Sequence, residues 1–408
     1  MTRPARTSAA SESISGTPPA LTPRLRFPEF HPAGDWNAET LATLADFVNE
    51  KVPAESIRAA DYISTENLLP EYGGVVPTAK LPPTGSVTRY RRGDVLVSNI
   101  RPYLKKIWQA DRDGGASNDV IVLRSKEKLS ESYFSLLLAN DSFIAYLMRG
   151  AKGVKMPRGD LDSMRDYSVA YPKPAEQHKI ADCLISLNEV IAAQARKVEA
   201  LKAHKKGLMQ HLFPQEGQTL PRLRFPEFRD GPEWHEMTLA AVGTMKAGEF
   251  VTASYIFETP GPGLFPCYGG NGLRGYTRTF THTGKYALIG RQGALCGNAF
   301  LVEGKFHATE HALVVTPAHG IDVTWLYFAL GFLNLNRFSI GQAQPGLSVT
   351  VLQAVPITIP TDDAQQQRIA ACLSALDARL AAEAARLDAL KAHKKGLMQG
   401  LFPSFTSA

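Results

Sequence analysis

The stretch LKAHKKGLMQ at Leu201–Gln210 returns letter for letter at Leu390–Gln399. A chain of 408 residues that spells one basic, helix-forming phrase twice carries a duplication, and the flanking sequence extends it. HKIADCLISLNEVI from His178 is answered by QRIAACLSALDARL from Gln367, at the same offset as the phrase. Upstream, PRLRFPEF at Pro23–Phe30 recurs at Pro221–Phe228 at a longer offset, each copy followed by a tryptophan, Trp36 and Trp234. Constant ends therefore enclose middles of different length and almost wholly different sequence. The period is far above the roughly 20–50 residues of solenoid repeats, so the repeated unit is a domain plus a helix.

The ends predict long helices. Ile180, Leu184, Leu187, Ile191, Gln194, Val198, Leu201, Lys205, Leu208 and Leu212 follow gaps of four and three, the seam of a coiled coil. The second copy keeps the seam as Ile369, Leu373, Leu376, Leu380, Glu383, Leu387, Leu390, Lys394, Leu397 and Leu401. Pro214 stops the first helix and Pro403 the second. Such a stripe needs a partner helix, and each is the obvious partner of the other. The polar seam positions, Gln194 with Glu383 and Lys205 with Lys394, lower stability while fixing register, or else reach out to solvent. A helix of ~33 residues at about 1.5 Å each makes a rod of ~50 Å, long enough to hold two domains apart. The lysines and His204 or His393 of the repeated phrase suit the negative end of a helix dipole; a contact with phosphate or a partner is the competing role.

Composition sets the class. Hydrophobic residues at 44% and charged residues at 21% describe a globular protein, and no apolar run approaches the ~20 residues of a membrane span. The first 20 residues, rich in Ser, Pro and Ala without an apolar core, read as a disordered tail and not a secretion signal, which makes a cytoplasmic location the expectation. Cys183, Cys267, Cys296 and Cys372 form no C-x-x-C pair, so buried reduced thiols are expected and not a zinc site or a disulfide framework. The net charge of +6 and pI near 9.0 favour a polyanionic partner.

Between the ends the pattern turns to short β runs, GDVLVSNI and NDVIVL in the first middle, GKYALIG and EHALVV in the second. Helix-like segments and one further apolar strand follow in each, so each middle reads as an α+β domain. No catalytic centre is expected. GGNGLRG places Gly270, Gly272 and Gly275 in a G-x-G-x-x-G spacing, but Thr- and aromatic-rich strand sequence follows where a dinucleotide fingerprint would open a helix. HATEH sets His307 and His311 four apart, which would face a metal together only on a helix, and this segment reads as extended. What the middles offer is polar and basic side chains on Gly-rich loops. In the first these are Arg91, Arg92, Asn99, Arg101, Lys105, Lys152, Lys155 and Arg158; in the second they are Asn271, Arg274, Tyr276, Arg278, Arg291, Gln292, Asn298, Gln342 and Gln344. Arg reads guanine and Asn or Gln reads adenine by paired hydrogen bonds, while Lys holds phosphate, so both sets are candidate DNA contacts.

These features together resemble the specificity subunits of Type I restriction-modification systems. The resemblance rests on YPKPAEQHKIADCL, the two LKAHKKGLMQ-x-LFP ends, CYGGNGLRGYT and GRQGALCGNAFLVEGKFHATEHALVV, and covers nearly everything after residue ~20. It implies an α+β chain with internal pseudo-two-fold duplication: target-recognition domains over 21–174 and 219–362, joined and separated by antiparallel spacer helices over 175–214 and 363–403. Each domain would read one half of an interrupted, asymmetric double-stranded DNA target. Two copies of a modification subunit, bringing S-adenosylmethionine for adenine N6 methylation, and an ATP- and Mg-dependent restriction subunit are the implied partners; this chain holds no cofactor, metal or catalytic residue and no membrane role. A coiled-coil scaffold bearing two β-rich ligand-binding domains, with no DNA role, is the alternative. The second copy departs from the family pattern where Pro174-Ala175-Glu176-Gln177 becomes Asp363-Ala364-Gln365-Gln366, so a partner contact through that glutamate is not expected there.

Overall fold

A computed structural model describes residues 21–77, 85–153, 155–341 and 345–403, so the tail over 1–20 and two of the candidate contacts, Gln342 and Gln344, lie outside the described residues. The chain divides into two units, Met1–Ala193 with Leu387–Ala408, and Gln194–Arg386, so each unit takes one half of each long helix. No helix among the described residues is long and apolar enough to cross a membrane.

The first unit opens with β1 (Asn37–Thr40), the single turn α1 (Leu41–Leu44), β2 (Ala45–Phe47), β3 (Lys51–Pro53) and β4 (Tyr62–Ile63). It continues through β5 (Ser86–Tyr90), β6 (Val95–Ser98), β7 (Ile107–Gln109), β8 (Gly114–Ala116) and β9 (Val120–Ser125). Helices α2 (Glu131–Leu138), α3 (Asp141–Gly150) and α4 (Leu161–Arg165) and strand β10 (Ser168–Tyr171) lead into α5 (Pro174–Leu212). The sheets run β2-β9-β6-β7 and β3-β5-β8-β4, with β1 on β10. Strand β6 is buried at all four positions: Val95 and Val97 face one core cluster and Leu96 the other, so both faces of this apolar run are covered.

The second unit repeats the plan. It comprises β11 (His235–Thr238), α6 (Leu239–Val242), β12 (Gly243–Ala247), β13 (Phe265–Gly269), β14 (Gly272–Thr277), β15 (His282–Gly290), β16 (Ala299–Ala308) and β17 (Ala312–Pro317). Then come α7 (Val323–Phe332), α8 (Val349–Gln353), β18 (Pro356–Ile359) and α9 (Asp363–Leu401). The sheet order β12-β17-β15-β16 matches β2-β9-β6-β7, and the parallel pairing of β13 with β16 matches that of β4 with β8. The lengths differ: β15 and β16 run unbroken for 9 and 10 residues, whereas the first unit breaks the equivalent path at a turn through Gly93, whose φ of 92° suits glycine. Two of the four cysteines, Cys267 and Cys296, are buried as expected; Cys183 and Cys372 are half-buried, and all four are free.

Each seam residue named from the sequence is buried or half-buried along α5 and α9. The polar positions meet within the second unit, where Gln194 Nε2 donates to Glu383 Oε2 at 2.7 Å and Lys197 pairs with the same carboxylate. Lys205 pairs with Asp377, so residue numbers rise along one helix as they fall along the other and the helices are antiparallel. The equivalent of Asp377 in the other copy is Asn188. Lys394, the equivalent of Lys205, has no ion-pair partner among the described residues, and burial pushes its ammonium below the usual lysine range.

The repeated words are packing elements. The end of α9 delivers Met398, Leu401 and Phe402 into the first unit's core, with Phe402 5.5 Å from the Tyr133 ring. The end of α5 delivers Leu212 and Phe213 into the second unit's core against Trp234 and Trp325. PRLRF clamps two helix ends in each unit. The Leu25 N–H donates to the Gly400 carbonyl and the Leu223 N–H to the His211 carbonyl, at 2.8 and 2.9 Å. Arg26 places two nitrogens on the Glu176 carboxylate at 2.8 Å, both side chains nearly out of solvent, and Trp36 Nε1 adds a third bond at 3.3 Å. Glu176 is therefore spent on anchoring α5 and is not free for a partner. Gln177 and Gln366 complete the anchors: their amide oxygens accept from the N–H groups of Ser130 and Asp322, the residues that cap α2 and α7.

In the second unit Gln365 stands where Glu176 stands in the first. It accepts one bond from Arg224 Nη2 at 3.1 Å, and Arg224 Nε, Trp234 Nε1 and Gln365 Nε2 are left buried without partners. One carboxylate would satisfy the arginine fork and the indole together, whereas an amide presents a donor to donors. Glu176→Gln should therefore destabilise the first unit by about 2 kcal/mol or more, and Gln365→Glu should stabilise the second by about 1–3 kcal/mol. Denaturant unfolding of the full chain checks both signs; a Gln365→Glu protein less stable than the parent would contradict this account of the anchor.

Candidate nucleic-acid interface

In both units the loop that leaves the central strand is tied to the loop that precedes the last short helix. After β6, Asn99 and Ile100 lead into Arg101 and Lys105, both left-handed with φ of 52° and 54° around the turn Pro102–Leu104. The Arg101 N–H donates to the Pro157 carbonyl at 2.8 Å, and the Gly159 N–H to the Asn99 carbonyl at 3.0 Å. Isolated bridges join Ile100 with Arg158 and Lys152 with Arg158. After β15, the Leu347 N–H donates to the Arg291 carbonyl and the Gly293 N–H to the Pro345 carbonyl, both at 2.9 Å, and Gln292 bridges Gly346. Residue groups far apart in sequence thus form one loop pair in each unit.

The first unit's loop pair brings together Asn99, Arg101, Lys152 and Arg158. Lys152 pairs with Asp160 at 2.8 Å and Arg158 with Asp119 at 3.2 Å, while Arg101 and Lys155 are exposed and have no ion pair among the described residues. Lys105 is held between Asp141 and Glu71 at 3.0 and 3.1 Å, a structural commitment. Asn99 Oδ1 is buried without a partner. Arg91 and Arg92 lie before β6, at the opposite end of that strand from Asn99, and Arg91 faces Glu50 at 3.5 Å. The structure does not bring these two arginines to the loop pair.

In the second unit GGNGLRG is the β13–β14 hairpin, with Gly272 at φ 89° in its turn, so no helix opens after it. The tip of this hairpin meets the loop after β15 around a cavity of about 450 Å³, bounded by Gly269 to Arg274 together with Gln292, Gly293 and His311. The approach requires glycine: a Cβ on Gly290 would lie 2.0 Å from the Gly270 carbonyl oxygen, and one on Gly270 2.8 Å from that of Gln292. The Arg291 backbone N–H donates to the His311 carbonyl and the Asn298 carbonyl accepts from Gly290, so both residues frame the loop. Tyr276 and Arg278 lie toward the other end of β14, where the Arg278 guanidinium covers the Phe257 ring at 5.8 Å. His307 is on β16 and bonds Thr279 and the Glu249 carbonyl, whereas His311 pairs with Glu310 at 3.2 Å. The two histidines share no metal site, and no group of three metal-ligating side chains occurs among the described residues. His311 was not among the candidate contacts, because only the fold of the turn before β17 carries it to the cavity.

Electrostatics separate the loops. The Lys152 ammonium, with the Ser163 N–H and hydroxyl, brings the Asp160 carboxyl down to about 2. The lowered carboxyl means that this contact is fully present above the ordinary aspartate range and is lost as pH falls toward 2. A carbon-detected titration should find the Asp160 midpoint near pH 2. Lys152→Met should raise that midpoint, while the Ser163 hydrogen bonds keep it below the ordinary value. An ordinary midpoint in the parent protein would remove the pairing.

The model of the Type I restriction modification DNA specificity domain matches residues 91–203 and 232–392, once in each copy. The Type I restriction enzyme EcoprrI specificity subunit of Escherichia coli is 42% identical over 149 residues, 36% of this chain and 37% of that relative. The matches span from about a third to about half of the length of the curated relatives. A solved Type-I restriction-modification system S subunit from M. genitalium shares the fold with a TM-score of 0.64 at 17% identity, over 95% of this chain and 100% of that one. A chain from a structure of complex assembly and conformational transition in the type I R-M system superposes with a TM-score of 0.56 at 19% identity, over 91% and 98%.

Proposed function

The chain belongs to the Type I restriction modification DNA specificity family, and on that premise we propose that it is the address-reading subunit of such a system, supplying recognition and no chemistry. Its two domains, over 21–174 and 219–362, each read one half of a bipartite, asymmetric double-stranded DNA target. Two modification subunits bring S-adenosylmethionine and methylate adenine at N6, and a restriction subunit brings ATP- and Mg-dependent cleavage; this chain holds none of these cofactors. The target adenine leaves the base stack during methylation, so the duplex bends or opens in the full assembly.

The observation that carries this reading is a shared frame with unlike loops. Both units tie the same two loops together in the same way, yet the pair carries Arg101, Lys152, Lys155 and Arg158 in one and Arg291 and Gln292 in the other, where the hairpin bearing Asn271 and Arg274 stands beside it. Frames that match while their polar side chains differ are what two different DNA words require. Lys155, exposed and without an ion pair among the described residues, supplies salt-dependent attraction to phosphate, and the amides and guanidinium groups discriminate bases.

Single-molecule sequencing of DNA from cells expressing this chain with its methyltransferase partner tests the proposal. The expected product is N6-methyladenine in two unlike short words at a fixed separation. A palindromic site would overturn the asymmetry. No new methylation, with the partner bound and active, would favour a scaffold without a DNA role.

A further inference from the structure

We infer that the cavity between the β13–β14 hairpin and the loop after β15 is where the second unit reads base identity, with Arg274 on a guanine and Gln292 on an adenine, while Arg278 holds backbone phosphate. This rests on the DNA-reading function proposed above and divides the second unit's contacts by role.

The chemistry of the lining is that of base edges. Asn271, Arg274 and Gln292 face one cavity, and no lysine lines it. A guanidinium fork matches guanine O6 and N7, and an amide, donor and acceptor together, matches adenine N6 and N7. These side chains are uncommitted: none makes a hydrogen bond or ion pair among the described residues, whereas Lys105, Lys152 and Arg158 of the first unit are held by carboxylates. Arg274 is exposed and makes no ion pair among the described residues, so its guanidinium is free to meet a base edge. Gly293, whose Cβ position is open, lets a base edge approach main chain, and Leu273, 52% exposed, offers an apolar surface to a thymine methyl beside it. Arg278 follows the far end of β14, exposed over Phe257 and outside the cavity lining, and presents charge without a second recognition group.

The test uses the full chain and a randomised duplex library. The word enriched by the parent is then measured by salt-dependent fluorescence anisotropy for Arg274→Lys, Gln292→Ala and Arg278→Ala. Arg274→Lys keeps the charge and loses the fork, so affinity for random duplex should hold while preference for one guanine falls roughly ten- to hundredfold. Gln292→Ala should relax one adenine in the same word. Both should leave the other word untouched. Arg278→Ala should keep both words and lower the log–log salt slope by about one. Retention of every position by Arg274→Lys and Gln292→Ala would overturn the inference, as would loss of a position in Arg278→Ala. Enrichment of no word by the parent would instead overturn the DNA-reading function and this inference with it.

Discussion

The clamp made by PRLRF is the contact on which each unit depends. A long amphipathic helix cannot bury its own stripe, and its partner here arrives from the far end of the sequence. Arg26 on Glu176 anchors the start of one helix, and the Leu25 N–H on the Gly400 carbonyl anchors the end of the other. The Leu25 side chain packs over Gly400, where a Cβ would lie 2.4 Å from its tip; the equivalent position in the other copy is His211. With both helix ends held by Leu25 and Arg26, the core around Trp36, Tyr133 and Phe402 can close. The second unit repeats the arrangement around Trp234, Trp325 and Phe213.

This arrangement explains why the apolar residues that close each helix, Leu208, Met209, Leu212 and Phe213 and their counterparts Leu397, Met398, Leu401 and Phe402, stay alike while the middles diverge. A helix end that must fill a tryptophan-lined core has little freedom, since interiors are close-packed. Loops beyond the sheet edge carry no such duty. The strands beneath them are the rigid part: β6 and β15 are each flanked by hydrogen-bonded neighbours, and the loop pairs are carried on their ends. A binding surface of this design changes its word by changing loop side chains and leaves the frame alone.

The copies are not equivalent, and the differences fall where a mutation is tolerated at a cost. Gln365 leaves three buried polar atoms without partners where Glu176 leaves its own site satisfied, and Lys394 lacks the carboxylate that Lys205 has. The Gln177 and Gln366 anchors are kept in both units.

The duplication, the two helices, their seam residues and their stopping points were legible in the sequence, because a heptad stripe and a repeated word are local patterns that any partner geometry must respect. The absence of a helix after GGNGLRG was legible for the same reason. The composition of the candidate loops was legible too, but not their grouping. Asn99 meets the loop around Arg158, and Arg291 the loop around Leu347, only because sheet order places a central strand's end beside a distant segment. Arg91 and Arg92 sit close to Asn99 in sequence yet at the other end of β6, and His311 reaches the cavity through a turn that no spacing rule marks. Nor could the sequence tell that Glu176 is buried on Arg26, since nothing local brings two residues so far apart together. Helix periodicity is written along the chain; the meeting of loops is decided by long-range strand pairing, which one-dimensional spacing does not encode.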